Sequence, residues 1–269
     1  MSRIDPAAFR QFEHQGWQEV AFRYHDSFAP VTTQSVEPLL NAAHVTANTR
    51  VLDVACGPGY VTAAAAARRA RPVGLDFSSE MVREARRRYP ELEFIEGDAE
   101  RLSLPDGSFD AVVFNFGMLH FGQPERAISE AHRVLRSGGS VAFTVWAGPE
   151  KTKGFGIVLA AIQKYGDLNV PIPPGPPFFR FSDPQEAKAA LESAGFSNGS
   201  VSEIDQVWRL SSPEELFNVM YYASVRNAAL LRAQKPEVLE SIRSEISREV
   251  GMYGSELPMP SVLVSAVRS

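Results

Sequence analysis

The residues best suited to chemistry lie in one short stretch, VLDVACGPGYVT at 51–62. Asp53 interrupts an apolar, strand-like run, and Gly57 and Gly59 follow with Pro58 between them. A glycine turn between a strand and a helix lets a ligand approach the backbone closely. In an open parallel sheet such a turn lies beyond the carboxyl ends of the strands, where ligands bind. A dinucleotide would want G-x-G-x-x-G, with its pyrophosphate at the helix N-terminus. Here G-P-G-Y-V-T puts Thr62 at the third position, and the Asp53 carboxylate would repel pyrophosphate. The same carboxylate suits a cation. The pattern asks for a nucleoside whose far end is positively charged.

S-adenosylmethionine, with its α-ammonium and sulfonium, meets that demand, and S-adenosylhomocysteine would be the product. Asp76 ends the second strand-like run, where a carboxylate can accept hydrogen bonds from both ribose hydroxyls. Phe77 and Met81 follow it and can pack against adenine. Asp98, after the third run, can accept from the adenine amino group, and Ala99 offers a backbone donor. Ala55 lies on the glycine turn, and Asn115 and Phe116 open NFGMLH (115–120), which closes the fourth run beside it. Tyr24 and His25, in the N-terminal YHDSF, can close over the cofactor.

Methyl transfer to oxygen or carbon is an in-line displacement, so positioning does most of the work, with a base to deprotonate the acceptor. His120 and His25 are the candidate bases; His14, His44 and His132 read as ordinary surface or helix positions. The later half of the chain is rich in aromatics, and Phe155, Phe178, Phe179, Tyr221 and Tyr222, with His120, are the candidate acceptor contacts. An apolar cap over a polar cofactor favours a small, largely apolar or aromatic acceptor. Asp110, after the turn PDGS, reads as structural, and Cys56 as a small apolar packing group.

These residues need a scaffold. Runs at 50–55, 72–77, 92–97, 109–117 and 140–146 read as strands, and helices fit between them, at about 60–70, from the Ser78 cap to Tyr89, and at 124–136. Strand–helix alternation makes the strands parallel, and their near-continuous apolar character suits burial on both faces. Before them, residues 1–45 form an N-terminal helical cover, with Phe9, Phe12, Trp17, Val20 and Tyr24 near helical spacing. The core spans 46–147, and segments 148–182 and 211–258 form a lid. Beyond the core, a strand is expected over 200–210, a helix from Ser212 to about Leu231, another over 236–250, and a last strand in SVLVSAVRS.

At 269 residues, with 44% hydrophobic and 22% charged, the chain reads as one globular domain. Its net charge of −5 gives no global basic field for nucleic acid or an anionic membrane. The single cysteine excludes an intramolecular disulfide, no metal site is visible, and no apolar run approaches a membrane span or a secretory signal. A cytoplasmic protein acting on a small molecule is expected; oligomeric state is not readable.

VLDVACGPG, GLDFSSEMV, GDAERLSLPDGSFDAVVFNFGMLH and RVLRSGGSVAFTVW resemble the successive motifs of class I S-adenosylmethionine-dependent methyltransferases. The branch is similar to the ubiquinone/menaquinone-biosynthesis type, and the likeness covers about residues 45–147. It implies an α/β, Rossmann-like, doubly wound sheet of seven strands, the last antiparallel. NFGM stands where the family's amino-methylating enzymes for nucleobases carry an N/D-P-P-Y-like motif, which argues against a base amine as acceptor. Two other functions stay open: a macromolecular methyltransferase, and an S-adenosylmethionine-binding protein without methyl transfer.

Overall fold

The computed structural model describes residues 5–269; residues 1–4 of the expected N-terminal cover lie outside the described residues. Helix α1 (Pro6–Val20) starts at Asp5, whose carboxylate accepts from the amides of Ala7 and Ala8 at 3.0 and 3.2 Å. Short α2 (Ala29–Thr32) and α3 (Val36–Ala42) complete the N-terminal segment.

Strands β1 (Arg50–Val54), β2 (Arg71–Asp76), β3 (Glu93–Glu96), β4 (Phe109–Asn115) and β5 (Leu135–Trp146) alternate with α4 (Tyr60–Ala67), α5 (Ser79–Arg88) and α6 (Pro124–Val134). Ser78 caps α5 by accepting from the Met81 amide at 3.2 Å. Helix α7 (Lys153–Tyr165), then α8 (Pro184–Ser193) capped by Asp183, lead to β6 (Phe196–Ile204). Strand β7 (Val207–Arg209), α9 (Glu215–Tyr222), α10 (Arg226–Arg232), α11 (Pro236–Tyr253) and β8 (Glu256–Pro258) come before β9 (Ser261–Arg268).

The seven-stranded sheet runs β3-β2-β1-β4-β5-β9-β6. Strand β9 is antiparallel to both β5 and β6, as the family resemblance implies. Side chains alternate across β1. Leu52 and Val54 face one core with Val112, Phe114, Ile128 and Phe143, while Val51 faces another with Leu39, Leu40, Val61 and Ala65. The order reverses between β1 and β4, which leaves a crevice at their carboxyl ends.

Three expectations change. The strand expected over 200–210 breaks after Ile204, and Val207–Arg209 leaves the sheet to pair with β8 in a separate ribbon. The ribbon brings the two ends of the helical insert together. The helix expected from Ser212 to about Leu231 is two helices. Ser224 divides them, its hydroxyl donating to the Met220 carbonyl at 2.5 Å and accepting from the Ala228 amide at 3.0 Å. One side chain thus serves the end of α9 and the start of α10. Helix α6 stops at Val134, and β5 starts at Leu135 rather than 140.

Candidate functional site

A cavity sits at the carboxyl ends of β1, β2 and β4, under α1 and the α9–α10 junction. Its polar pole is built by strand ends. Asp53 is fully buried, and Thr62 Oγ1 donates to its Oδ2 at 2.6 Å. Its Oδ1 has no partner although it is buried. Burial, opposed by the Thr62 bonds, pushes the Asp53 carboxyl up to about 7. Asp76 Oδ2 accepts from the Gly57 amide and its Oδ1 from the Ser78 amide, both at 2.9 Å. Burial pushes it up to about 6, against those backbone bonds.

The turn between β1 and α4 is shaped by its glycines. Gly57 has φ +52° and open space where a Cβ would stand. Gly59 has φ +87°, and a Cβ there would lie 2.7 Å from Phe94 Cζ. Gly59 therefore lets the turn pack on β3, whereas Gly57 keeps the backbone open toward the cavity. Ala55 (φ +56°) and Phe116 (φ +58°), at the ends of β1 and β4, also take left-handed backbone, and both line the cavity. Non-glycine residues held there carry strain of the kind that gathers at ligand sites.

Asp98 is half-exposed at the far wall, where its Oδ1 accepts from the Glu100 amide at 2.9 Å and its Oδ2 lies 3.3 Å from Arg10 Nη1. Phe77, Met81 and Ala99 line the same wall. Asn115 lines the cavity, but its amide is engaged. Its Oδ1 accepts from Ser35 and Thr144 hydroxyls, and its Nδ2 donates to the Thr32 carbonyl. Tyr24 lines the cavity from the N-terminal segment, bonded to Thr32 Oγ1 at 3.0 Å.

The other half is aromatic. Phe116 stacks on Trp146 at 4.1 Å between centroids, Trp146 meets Phe155 at 5.4 Å, and Phe155 meets Phe178 at 5.5 Å. His120 reaches this half from the turn after β4, with Trp17 edge-on at 4.8 Å and Phe178 at 6.4 Å.

Four other candidates lie away from the cavity. His25 is exposed and does not line the cavity itself, but bonds Tyr60 Oη through Nδ1 at 2.6 Å, and Tyr60 does line it. Phe179 packs on Phe178 at 4.9 Å. Tyr221 stacks on Phe217 at 5.5 Å, and Tyr222 is 48% exposed. These aromatics belong to the lid's own packing.

One residue that sequence reading passed over is central. Glu13 of α1 is fully buried, its Oε2 accepting from His120 Nδ1 at 2.9 Å and Trp17 Nε1 at 3.1 Å. Its Oε1 accepts from Arg226 Nε at 2.7 Å. Burial alone would raise its carboxyl, but His120 and Arg226 together hold it below the usual value. A signal existed: Glu13 falls on the apolar stripe of Phe9, Trp17 and Val20, where a charge needs buried partners.

Among the described residues, no three His, Cys, Asp or Glu cluster to hold a metal ion, and no helix is long and apolar enough to cross a membrane.

Residues 52–143 match the family described as "Methyltransferase domain". The demethylmenaquinone methyltransferase of Beutenbergia cavernae is 43% identical over 100 residues, which is 37% of this chain and 42% of that protein. The chain thus matches less than half the length of this curated relative. Among solved structures, the phosphoethanolamine N-methyltransferase 2 of Haemonchus contortus, in complex with phosphomonomethylethanolamine and S-adenosylhomocysteine, shares the fold. Its TM-score is 0.59 at 17% identity, covering 97% of this chain and 60% of that one. The [4+2]-cyclase SpnF shares it too, with TM-score 0.54 at 18% identity over 88% of this chain and 81% of that one. Residues 52–143, about a third of the chain, thus resemble a methyltransferase domain, and that segment is similar to demethylmenaquinone methyltransferases.

Proposed function

We propose that this chain transfers a methyl group from S-adenosylmethionine to oxygen or carbon of a small, largely apolar or aromatic acceptor. The observation that carries this reading is the unpartnered, fully buried Oδ1 of Asp53 at a pole that also holds Asp76, facing an aromatic half across one cavity. A buried carboxylate oxygen without a donor fits a cationic hydrogen-bonding ligand. Asp53 would hold the ammonium end, Gly57 would let the ligand approach the backbone, and Asp76 would take the ribose hydroxyls. Phe77 and Met81 would sandwich adenine, with Asp98 and Ala99 at its polar edge.

When bound, S-adenosylmethionine supplies an electrophilic methyl group. The chain's own residues would then orient the acceptor and manage a proton. Phe116, Trp146, Phe155 and Phe178 form an apolar wall that excludes water and aligns an aromatic ring. His120, on the aromatic side, would accept the proton that an acceptor hydroxyl or acidic carbon releases. His25, exposed and bonded to Tyr60, is left out of this role.

The lid segments 148–182 and 211–258 contribute Phe155, Phe178 and the 224–227 turn to the cavity wall, which supports their reading as an acceptor cover. A second reading has one observation behind it: a cyclase shares this fold, so cofactor binding without methyl transfer is the alternative. Incubating the protein with methyl-labelled S-adenosylmethionine and a metabolite-rich extract tests both. Label in small molecules supports the proposal, label in protein or RNA overturns the acceptor class, and bound cofactor without transferred label favours the alternative.

A further inference from the structure

The Glu13 cluster joins three parts of the molecule that are far apart in sequence. Glu13 comes from α1, His120 from the turn after β4, and Arg226 from the first turn of α10 in the insert. Arg226 also donates through Nη2 to the Leu119 carbonyl, beside His120, and its guanidinium lies 4.4 Å from the Phe9 ring centre.

The donor count fixes a protonation state. Trp17 Nε1 and Arg226 Nε can only donate, so the carboxylate they face must accept. Glu13 carries no proton of its own for His120, because both its oxygens already take donors and its two cationic or polar neighbours favour the ionised form. His120 Nδ1, at 2.9 Å from Glu13 Oε2, must then be the nitrogen that carries hydrogen. No hydrogen bond among the described residues takes Nε2, and the ring lines the cavity.

We infer that Glu13 is a positioning residue that holds the neutral His120 imidazole with its proton on Nδ1 and its Nε2 lone pair toward the cavity, and that Arg226 ties this arrangement to the seating of α10. The inference rests on the reading of His120 as a base, but it concerns a protonation state that exists whether or not an acceptor is known. The charged groups that face the imidazole are Glu13 from α1 and Arg226 from α10; Asp98, Glu100 and Arg10 also line the cavity. Removal of the Glu13 charge leaves Arg226 beside the ring without a counter-charge, which disfavours the imidazolium. Free imidazole side chains favour the proton on Nε2, so an Nδ1–H form reports an imposed hydrogen bond.

The test is long-range proton–nitrogen correlation on the full chain with ¹⁵N-labelled histidine, with His120 identified by the signal lost in His120→Asn. The expected result is an Nδ1–H, Nε2-lone-pair pattern for His120 in the wild-type protein above its titration. In Glu13→Gln the Nδ1–H signal weakens in favour of Nε2–H. In Arg226→Met the tautomer is kept. An Nε2–H pattern in the wild type overturns the inference, and so does an unchanged pattern in Glu13→Gln. If Glu13→Gln does not fold, the wild-type tautomer still decides. S-adenosylhomocysteine titrated calorimetrically into the wild type separates the two readings. Failure to bind it removes the proposed function and leaves the tautomer result standing.

Discussion

Thr62 Oγ1 donates to Asp53 Oδ2 at 2.6 Å, while Asp53 Oδ1, equally buried, receives nothing. One oxygen is satisfied by the protein and one is left for a ligand. Without a ligand the carboxylate is a liability, since its pKa rises from 3.8 to about 7, chiefly through burial. A raised acid pKa contributes stability that is full below the unfolded value and is lost as pH climbs through the folded one. The loss therefore falls between about pH 4 and 7. Asp53→Asn should make the ligand-free protein more stable at pH 8, by on the order of 2 kcal/mol, and weaken S-adenosylhomocysteine binding. Denaturant unfolding of both proteins at pH 8 checks the first part; equal stability would mean that Asp53 is already satisfied.

Asp110 should behave in the opposite way. Arg50 holds it through side-chain and backbone bonds, and Arg136 adds a second partner, so its carboxyl sits well below the usual range. A depressed acid pKa contributes stability above the unfolded value that is lost as pH falls. Asp110→Ala should cost roughly 1–2 kcal/mol at neutral pH and progressively less in acid. Cofactor affinity should not change, because Asp110 lies at the opposite, amino end of β4. A tenfold change in S-adenosylhomocysteine Kd, about 1.4 kcal/mol, would refute that purely structural role.

Asp76→Ala should weaken S-adenosylhomocysteine binding by at least about tenfold. The substitution removes the proposed ribose acceptor and frees the Gly57 amide that Asp76 now holds at 2.9 Å. Titration calorimetry reads the change, and an unaltered affinity removes the ribose assignment.

His120→Ala should lower turnover by about a hundredfold, once an acceptor is in hand, with S-adenosylhomocysteine affinity changed less than about threefold. If turnover survives intact, His120 is a wall residue and the proton goes elsewhere.

Gly16→Ala tests the contact between the N-terminal helix and the insert. A Cβ on Gly16 would stand 2.4 Å from Val225 Cγ1, just before α10. The helix-propensity gain of about 1 kcal/mol should be outweighed by that clash, for a net loss in stability. Faster proteolytic cleavage near 223–226 would accompany it. A more stable protein, uncut there, would mean that α10 shifts freely away from α1.

Much of the cavity could be read from the sequence because its polar pole is local. Asp53, Gly57 and Asp76 each sit at a strand end, and strand ends follow from the apolar runs that precede them. The same logic ordered β1 to β5 correctly. The insert resisted reading for two reasons. Period alone cannot tell that the chain leaves the sheet after Ile204, because Val207 and Trp208 continue an acceptable strand pattern. Nor does an apolar stripe across 212–231 reveal that Ser224 serves two helices at once. Glu13 was hidden by distance: its partners His120 and Arg226 lie 107 and 213 residues away. His25 lies in the turn after the short 3₁₀ helix Ala21–Arg23, exposed and bonded to Tyr60, a placement that its neighbour Tyr24 in the sequence does not reveal.

The position of β9 bears on how the molecule comes into being. It follows every other described strand in the sequence, yet it lies between β5 and β6, pairing with residues 135–146 and 196–204 made well before it. Until it is made, β5 and β6 carry bare edges, although the β7–β8 neck of the insert is already in place. Such long-range closure is slow, and exposed edges invite pairing with other nascent chains. The growing polypeptide thus passes through a stage in which five strands can pair while β6 waits for β9, and its yield in the cell should depend on how well that interval is chaperoned.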